Sequence, residues 1–115
     1  MVNEADHPDW MVNVTNDAWF GTSAGPRQHL AAARLRAVEE GLPLLRAANT
    51  GITVAFDSRG HEITRIEMER TGFRTVTLPG PSPRTVFARF GLKLPGLLGL
   101  GLAALGLALS RWRRQ

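Results

Sequence analysis

The residues whose types and spacing could build a binding site lie together, just after a predicted strand. Met11–Val14 alternates in hydropathy and predicts a short strand. Asn16 and Asp17 follow, and side chains of these two types hydrogen-bond neighbouring backbone and end strands. Trp19 and Phe20 come next, at the position just past a strand end where sites on sheets are usually built. One interpretation is the wall of a binding site; the other is a strand, a turn and two core aromatic residues.

The chain contains few side chains that could make or break covalent bonds. It contains no cysteine, which excludes disulfides and the usual zinc fingers. Ser23 and Thr15 are conceivable nucleophiles, but no neighbouring base marks either hydroxyl as activated. His7, His29 and His61 lack metal-ligand spacing, and we expect His29 to be a helix-surface or capping residue. The sequence therefore predicts no catalytic residue, no metal site and no cofactor within this chain.

The formal charge of +4 is the next property that could indicate a partner. Much of the excess lies in a C-terminal cluster of Arg111, Arg113 and Arg114, and the other cations are scattered among acidic residues. No basic stripe interleaved with aromatic residues is present, as nucleic-acid binding would require. The basic tail is better interpreted as a topology signal that contacts anionic lipid headgroups. We predict a membrane partner and no nucleic acid.

One helix is predicted in the first half of the chain. Pro26 suits the first turn of a helix, where its missing N–H has no cost. Apolar residues then recur at helical spacing as far as Glu40. Gly41 is a predicted C-cap, and Pro43 prevents the helix from continuing.

The remaining regular structure is predicted to be strands. Beside the strand over Trp10–Val14, residues 52–57 and 61–67 are rich in β-formers and flank the turn Ser58-Arg59-Gly60, which predicts a hairpin. Residues 74–78 alternate polar and apolar and predict a further strand. One helix and about four strands are too few to cover both faces of a sheet, so apolar faces are expected to stay exposed.

The C-terminal third of the chain differs from the rest in amino-acid composition. A Pro- and Gly-rich stretch begins a predicted connector over residues 79–91. Residues 94–110 carry no charge, and we predict a transmembrane helix over 92–110, followed by a basic tail over 111–115. A buried core helix or a signal-like segment is the alternative interpretation.

The flanks of this helix suggest an orientation. The dense arginine cluster favours a cytoplasmic tail, and Trp112 is placed like an interfacial anchor. That orientation places the part of the chain before Arg89 on the opposite side of the membrane from the cytoplasm. Met1–Trp10 has no signal-peptide pattern, so we expect earlier membrane helices to belong to a longer protein.

Residues 12–21 also resemble a known family. Their sequence is similar to the strand and loop after the catalytic cysteine in the bacterial apolipoprotein N-acyltransferase family, a membrane-embedded branch of the nitrilase (carbon–nitrogen hydrolase) superfamily. Ordered matches continue at fixed spacing through most of the chain, at Gly25-Pro26, Gln28-His29, Ala33-Arg34, Arg36-Ala37, Glu39, Gly41, Pro43-Leu44-Leu45-Arg46, Ala48-Asn49 and Gly51-Ile52-Thr53.

The resemblance implies a fold of the α/β class: residues 1–78 would be the C-terminal part of a nitrilase-like α-β-β-α sandwich, followed by one C-terminal transmembrane helix. It also implies a catalytic triad of Glu, Lys and Cys. In the family the Cys lies shortly before the strand that here ends at Val14, and the Glu and Lys lie further upstream. This chain has no Cys, so we expect it to be a C-terminal fragment that is inactive alone.

For the intact enzyme, the resemblance implies transfer of an acyl group from a membrane phospholipid, through a Cys thioester, to the diacylglyceryl-cysteine of lipoproteins. The globular part would then be periplasmic at the bacterial inner membrane. Asn16, Asp17, Trp19 and Phe20 would line the rim of the substrate pocket without making bonds. A second polar set is predicted to be an ion-pair network that fixes the helix against the sheet, and consists of Arg34, Glu39 and Arg46.

Two other classes remain open. One is a nitrilase-type amidase that shares the same strand and loop, although the apolar terminal helix argues against it. The other is a non-enzymatic, membrane-anchored remnant.

Overall fold

A computed structural model describes residues 8–112 of the chain. Within this part, four strands and three α-helices follow one another, with a short 3₁₀ helix at Ala18–Phe20 after the first strand. In chain order they are β1 (Met11–Asn16), α1 (Gly25–Glu40), β2 (Leu44–Asn49), β3 (Thr53–Phe56), β4 (Glu62–Ile66), α2 (Val86–Phe90) and α3 (Lys93–Trp112).

The four strands form one mixed sheet in the order β1-β2-β3-β4. β1 and β2 are parallel and are joined by α1, whereas the pairs β2–β3 and β3–β4 are antiparallel. The parallel register runs from Met11 opposite Leu44 to Asn16 opposite Asn49. The carboxyl ends of β1 and β2 therefore meet at the same edge of the sheet.

The core lies between α1 and one face of the sheet. Small and aliphatic residues of α1 pack on β2, β3 and the residue before β3; the buried cluster is Leu30, Ala33, Ala37, Leu44, Ile52, Val54 and Phe56. Met11 of β1 packs against this cluster. The other face of β1 is open, since Val12 and Val14 are 58% and 78% exposed. The expectation of exposed apolar faces is confirmed for this strand.

The helix and the hairpin agree with the sequence predictions. α1 ends at Glu40, and Gly41 adopts the left-handed conformation with φ of 68°, which a residue without a Cβ adopts most easily. β3 and β4 flank the predicted turn, and the backbone N–H of Gly60 donates to the carbonyl of Asp57.

One strand prediction was wrong, and one strand was missed. Residues 74–78 form no strand, and the sequence did not reveal β2. Phe73 and Val76 instead line a cavity of about 230 Å³ together with Leu45 and Ala55, which are neighbours across β2 and β3. The segment therefore lies over a face of the sheet, where no strand edge offers hydrogen-bond partners, so its alternating pattern produces no ladder.

The C-terminal part contains more helix than predicted. The connector predicted over residues 79–91 is irregular at its start but includes α2. α3 has 20 residues, about 30 Å at the usual rise per residue. It is long and apolar enough to cross a membrane, and none of it is buried against the rest of the described chain.

The β3–β4 turn depends on a carboxylate. Asp57 accepts hydrogen bonds from the backbone N–H groups of Arg59 and His61, both at 2.8 Å, and its other oxygen is 2.9 Å from His61 Nδ1. Burial by itself would raise the pKa of Asp57, but the bonds from His61 and Arg59 outweigh it and hold the pKa below its ordinary value of 3.8.

Asp57 therefore makes the stability of the hairpin depend on pH. A lowered pKa in the folded state contributes stability that is present above the unfolded pKa and lost as pH falls through the folded pKa. Between pH 6 and pH 3, the wild-type chain should lose hydrogen-exchange protection in β3 and β4 more steeply than Asp57→Asn. Asp9→Asn, which removes an exposed carboxylate, should follow the wild-type profile; the same slope in all three proteins would contradict the assignment.

The core packing gives a second prediction. Phe56 is fully buried between α1 and the sheet, so Phe56→Ala should lower the free energy of unfolding by about 3–5 kcal/mol. Amide hydrogen exchange of β2 and β3 in the full chain measures the loss. Val12→Ala is the matched control on the open face and should cost less than about 0.5 kcal/mol. Equal losses in the two variants would show that Phe56 is not part of the core.

Candidate functional site: the loop after the first strand

The loop that leaves β1 is fixed at the carboxyl edge of the parallel pair. The backbone N–H of Asp17 donates to the carbonyl of Asn49 at 3.1 Å, which extends the β1–β2 ladder by one residue. Asn16 Oδ1 accepts from the backbone N–H of Ala18 at 3.1 Å and from Asn49 Nδ2 at 3.2 Å. The Asn16 side chain thus closes the turn on its own backbone, as predicted, and also joins it to the end of β2.

Below this turn, a buried ion pair connects the loop to the sheet. Arg46 Nη2 of β2 lies 2.7 Å from Asp17 Oδ2, and both side chains are completely buried. Arg46 Nε donates to the carbonyl of Ile52 at 3.2 Å, and Nη1 donates to Asn13 Oδ1 of β1. Each nitrogen of the guanidinium group therefore has a partner, which is what burial of this cation requires.

The other oxygen of the Asp17 carboxylate is occupied as well. His29 Nδ1 lies 2.8 Å from Asp17 Oδ1, and Thr15 Oγ1 donates to the same oxygen at 3.4 Å. His29 belongs to α1 and Thr15 to β1. One carboxylate thus joins the first strand, the second strand and the helix between them.

Space around this carboxylate is tight. A Cβ built on Gly51 would lie 2.2 Å from Asp17 Oδ2, a distance that no side chain could keep. Position 51 must therefore be glycine for the ion pair to form as observed. A Cβ on Gly25 would lie 2.5 Å from the ring of Phe20, so this glycine lets the ring pack on the start of α1.

The two aromatic residues of the loop have different surroundings. Phe20 packs edge-on against the ring of His29, with centroids 6.2 Å apart, and is 46% exposed. Trp19 is 88% exposed. The turn that carries it is fixed on both sides of Trp19, since the backbone N–H of Ala18 donates to Asn16 Oδ1 and the backbone N–H of Phe20 donates to the carbonyl of Asp17. The arrangement presents a large apolar ring on a rigid loop, which suits binding of an apolar ligand and supplies no nucleophile. Within residues 8–112, no group of three or more His, Asp or Glu side chains could hold a metal ion.

The predicted site residues are only partly brought together. Asn16, Asp17, Trp19 and Phe20 share the loop, but the Asp17 side chain points inward and is 1% exposed. The predicted ion-pair network of Arg34, Glu39 and Arg46 does not form in the described part of the chain. Arg46 pairs with Asp17, and Glu39 instead lies 3.1 Å from Arg36 Nη1, without hydrogen-bond geometry. The stem of Arg34 lies against Gly60 in the β3–β4 turn.

The sequence analysis missed three contributors to the site: Asn13, His29 and Gly51. One signal was available for the first of them. The polar residues Asn13 and Thr15 alternate with Val12 and Val14, which indicates that one face of β1 is polar. A polar strand face beside a buried arginine would have suggested a hydrogen-bonding role for Asn13.

Comparison with known proteins shows the family of the chain. The carbon-nitrogen hydrolase family model matches residues 1–80, and the chain belongs to that family. Within it, the chain is 45% identical to the apolipoprotein N-acyltransferase of Bradyrhizobium diazoefficiens over 100 residues, which is 87% of this chain and 18% of that protein. Proteins of the same name in Rhodopseudomonas palustris and Haemophilus ducreyi are 45% and 43% identical, over 84% and 96% of this chain and 18% and 21% of their own length. The chain therefore spans about a fifth of these curated relatives.

The buried pair makes a specific stability prediction. Arg46→Met leaves the Asp17 carboxylate buried without a cation and should lower the free energy of unfolding by about 3–5 kcal/mol. Asp17→Asn/Arg46→Met removes both charges and should be less destabilised than the sum of the single changes, by about 1 kcal/mol or more. Hydrogen exchange of β1 and β2 in the full chain measures each effect.

The matched control is a partly exposed ion pair on α1, in which the Arg36 side chain is 58% and the Glu39 side chain 20% exposed. Arg36→Met removes the contact with Glu39 and should cost less than about 1 kcal/mol, because the arginine side chain stays largely in water. Strictly additive effects of the Asp17 and Arg46 changes would contradict the proposed coupling.

Proposed function

We propose that this chain is the C-terminal part of an apolipoprotein N-acyltransferase and carries one wall of its substrate pocket. Support comes from the relatives of that name, which match most of this chain, and from the fixed loop that ends in an exposed indole ring. Because the chain spans only about a fifth of those relatives, the activity belongs to the whole protein. We expect this chain to be inactive alone.

The reaction consists of two acyl transfers. A cysteine thiolate attacks the ester carbonyl of a membrane phospholipid; the ester bond breaks, a thioester forms, and the lysophospholipid alkoxide takes up a proton as it leaves. The free α-amino group of the diacylglyceryl-cysteine of a lipoprotein then attacks the thioester, forms an amide, and releases the thiol. This chain has no cysteine, so the thioester must form on a residue outside it, with the Glu and Lys of the triad.

The observation that carries the role of this chain is the contrast between Asp17 and Trp19. The carboxylate two residues earlier is buried and fully bonded, whereas the indole ring is 88% exposed. A rigid support under an exposed apolar side chain is what positioning of an acyl chain requires. In this assignment Trp19 and Phe20 contact the substrate, and Asn16 and Asp17 hold the loop.

α3 supports a proposal for the position of the chain in the cell. We assign residues 92–110 as a transmembrane helix of the inner membrane, with residues 111–115 in the cytoplasm and the α/β part on the periplasmic side. A water-soluble amidase is disfavoured, because the 20-residue apolar helix packs against no other part of the described chain and would be exposed to water. A non-enzymatic membrane remnant would not require Trp19 for any reaction. Measurement of acyl transfer therefore distinguishes a remnant from an acyltransferase.

Activity is testable in a chimera. The matching segment of the Bradyrhizobium diazoefficiens relative is replaced by this chain, and N-acylation of a diacylglyceryl lipoprotein is followed by mass spectrometry in cells depleted of their own enzyme. We expect the wild-type chimera to be active and Trp19→Ala to lower the rate about tenfold or more, equivalent to about 1.4 kcal/mol of lost transition-state binding.

Phe73→Ala is the matched control, because Phe73 is an equally exposed aromatic residue, at 89%, in a different segment. It should leave acyl transfer within about twofold of wild type, since surface changes away from a site have small effects. Membrane extraction should be unchanged in both variants. Unchanged transfer by Trp19→Ala would refute the role of the loop, and a correctly inserted but inactive wild-type chimera would refute the function.

A further inference from the structure

Charge is distributed very unevenly along the chain. Residues 1–69 carry all ten acidic residues and six of the fourteen Lys and Arg residues. Residues 70–115 carry the other eight cations and no acidic residue at all. Three cations lie just before α3 or at its first residue, Arg84, Arg89 and Lys93, and three follow its uncharged stretch, Arg111, Arg113 and Arg114. An excess of cations on one side orients a membrane helix, so equal numbers on the two sides leave the first set without a role in orientation.

The cations before α3 stand beside exposed apolar side chains. Val86 and Phe90 are one turn apart on α2 and are 61% and 49% exposed. Leu92, between α2 and α3, is 75% exposed. Arg89 and Lys93 are exposed within the same eight residues, and neither forms an ion pair with any residue in the described range 8–112. Apolar and cationic groups that alternate in this way are typical of segments lying in the headgroup region of a membrane.

This segment is also rigidly attached to the α/β part. Thr85 Oγ1 accepts from the backbone N–H of Ala88 at 2.9 Å and thereby caps α2, and its hydroxyl donates to the carbonyl of Glu39. The backbone N–H of Ser82 donates to the carbonyl of Gly41 at 2.8 Å. The start of α2 is thus bonded to the C-terminal end of α1, and the position of α2 determines that of the whole α/β part.

We propose that Val86, Arg89, Phe90, Leu92 and Lys93 form an interfacial collar that binds anionic phospholipid headgroups on the side of the membrane that carries the α/β part. This inference rests on the transmembrane assignment of α3 in the proposed function. The three apolar side chains enter the boundary between headgroups and acyl chains. Arg89 and Lys93 donate to lipid phosphates above them. The collar holds the α/β part at a fixed height above the bilayer.

Spin labelling of the full chain tests the collar, because the absence of cysteine makes any introduced one unique. Val86→Cys reports on the collar, Ala104→Cys on the middle of α3, and Ala31→Cys on an exposed position of α1 as a reference in water. Each labelled chain is placed in nanodiscs, one chain per disc, made of phosphatidylcholine alone or of phosphatidylcholine with phosphatidylglycerol. Relative accessibility to oxygen and to a water-soluble nickel complex measures the depth of each label.

In discs with phosphatidylglycerol, we expect the label at position 86 to lie about 5–10 Å into the boundary region. It should lie nearer to the water in phosphatidylcholine alone and at high salt, because salt screens the attraction to headgroups. Arg89→Gln/Lys93→Gln should abolish the difference between the two lipids, and the charge-conserving Arg89→Lys should keep it. Arg27→Gln/Arg59→Gln removes the same charge from exposed positions of the α/β part and should leave the difference intact.

The outcomes separate the collar from the function on which it rests. A label at position 86 as accessible to nickel as the one at position 31, with position 104 buried in lipid, would overturn the collar alone. The collar would also be overturned if the depth of the label at position 86 were the same in both lipid compositions. Spin–spin broadening in discs that hold more than one chain would overturn it too, because it would show that this segment pairs with a second copy. A label at position 104 that is accessible to water would overturn the membrane span, and the collar with it.

Discussion

The buried ion pair between Arg46 and Asp17 is the interaction on which the rest of the α/β part depends. Two charges removed from water are stable only when nearly every lone pair and N–H around them has a partner. That requirement determines several residues at once. Asn13 must face the helix side of β1, the carbonyl of Ile52 must point back toward β2, and Gly51 must carry no side chain.

The same requirement explains why β1 has its apolar residues on the open side. An isolated amphipathic strand would turn Val12 and Val14 toward the helix and its polar residues toward water. Here the polar residues Asn13 and Thr15 face inward because the guanidinium group and the carboxylate need them. The two valines are left exposed, without packing partners within residues 8–112.

Elements with local signals could be predicted from the sequence, and elements defined by distant pairing could not. α1 has Pro26 at its start and Gly41 at its end, and the hairpin has a compact turn, so each was predicted close to its observed bounds. β2 lacks strong β-formers; it is a strand because β1 and β3 lie on either side of it. Residues 74–78 have the strand pattern but lie over a sheet face, and periodicity carries no information about which edges are free.

For the site, the sequence could predict the loop but not its internal partners. The resemblance identified Asn16 to Phe20 as a unit, yet it did not reveal that Asp17 supports the loop from inside while Trp19 stands out of it. Charge alone could not decide whether Arg46 would pair with Glu39 or with Asp17, since both acids were available. The choice is made by the parallel register, which places Arg46 opposite Asn13, deep under the loop and on the helix side.

α1 connects this site to the segment proposed as the collar. Near its first turn, His29 contacts the Asp17 carboxylate; at its other end, the carbonyls of Glu39 and Gly41 hold the start of α2. The helix has 16 residues, about 24 Å in length, and no residue inside it breaks the helix. In the proposed function the acyl donor is a membrane lipid, so the reacting ester lies at a fixed depth and a loop that contacts it needs a fixed height. A single helix, hydrogen-bonded at one end to the buried carboxylate and at the other to the start of the proposed collar segment, meets that need.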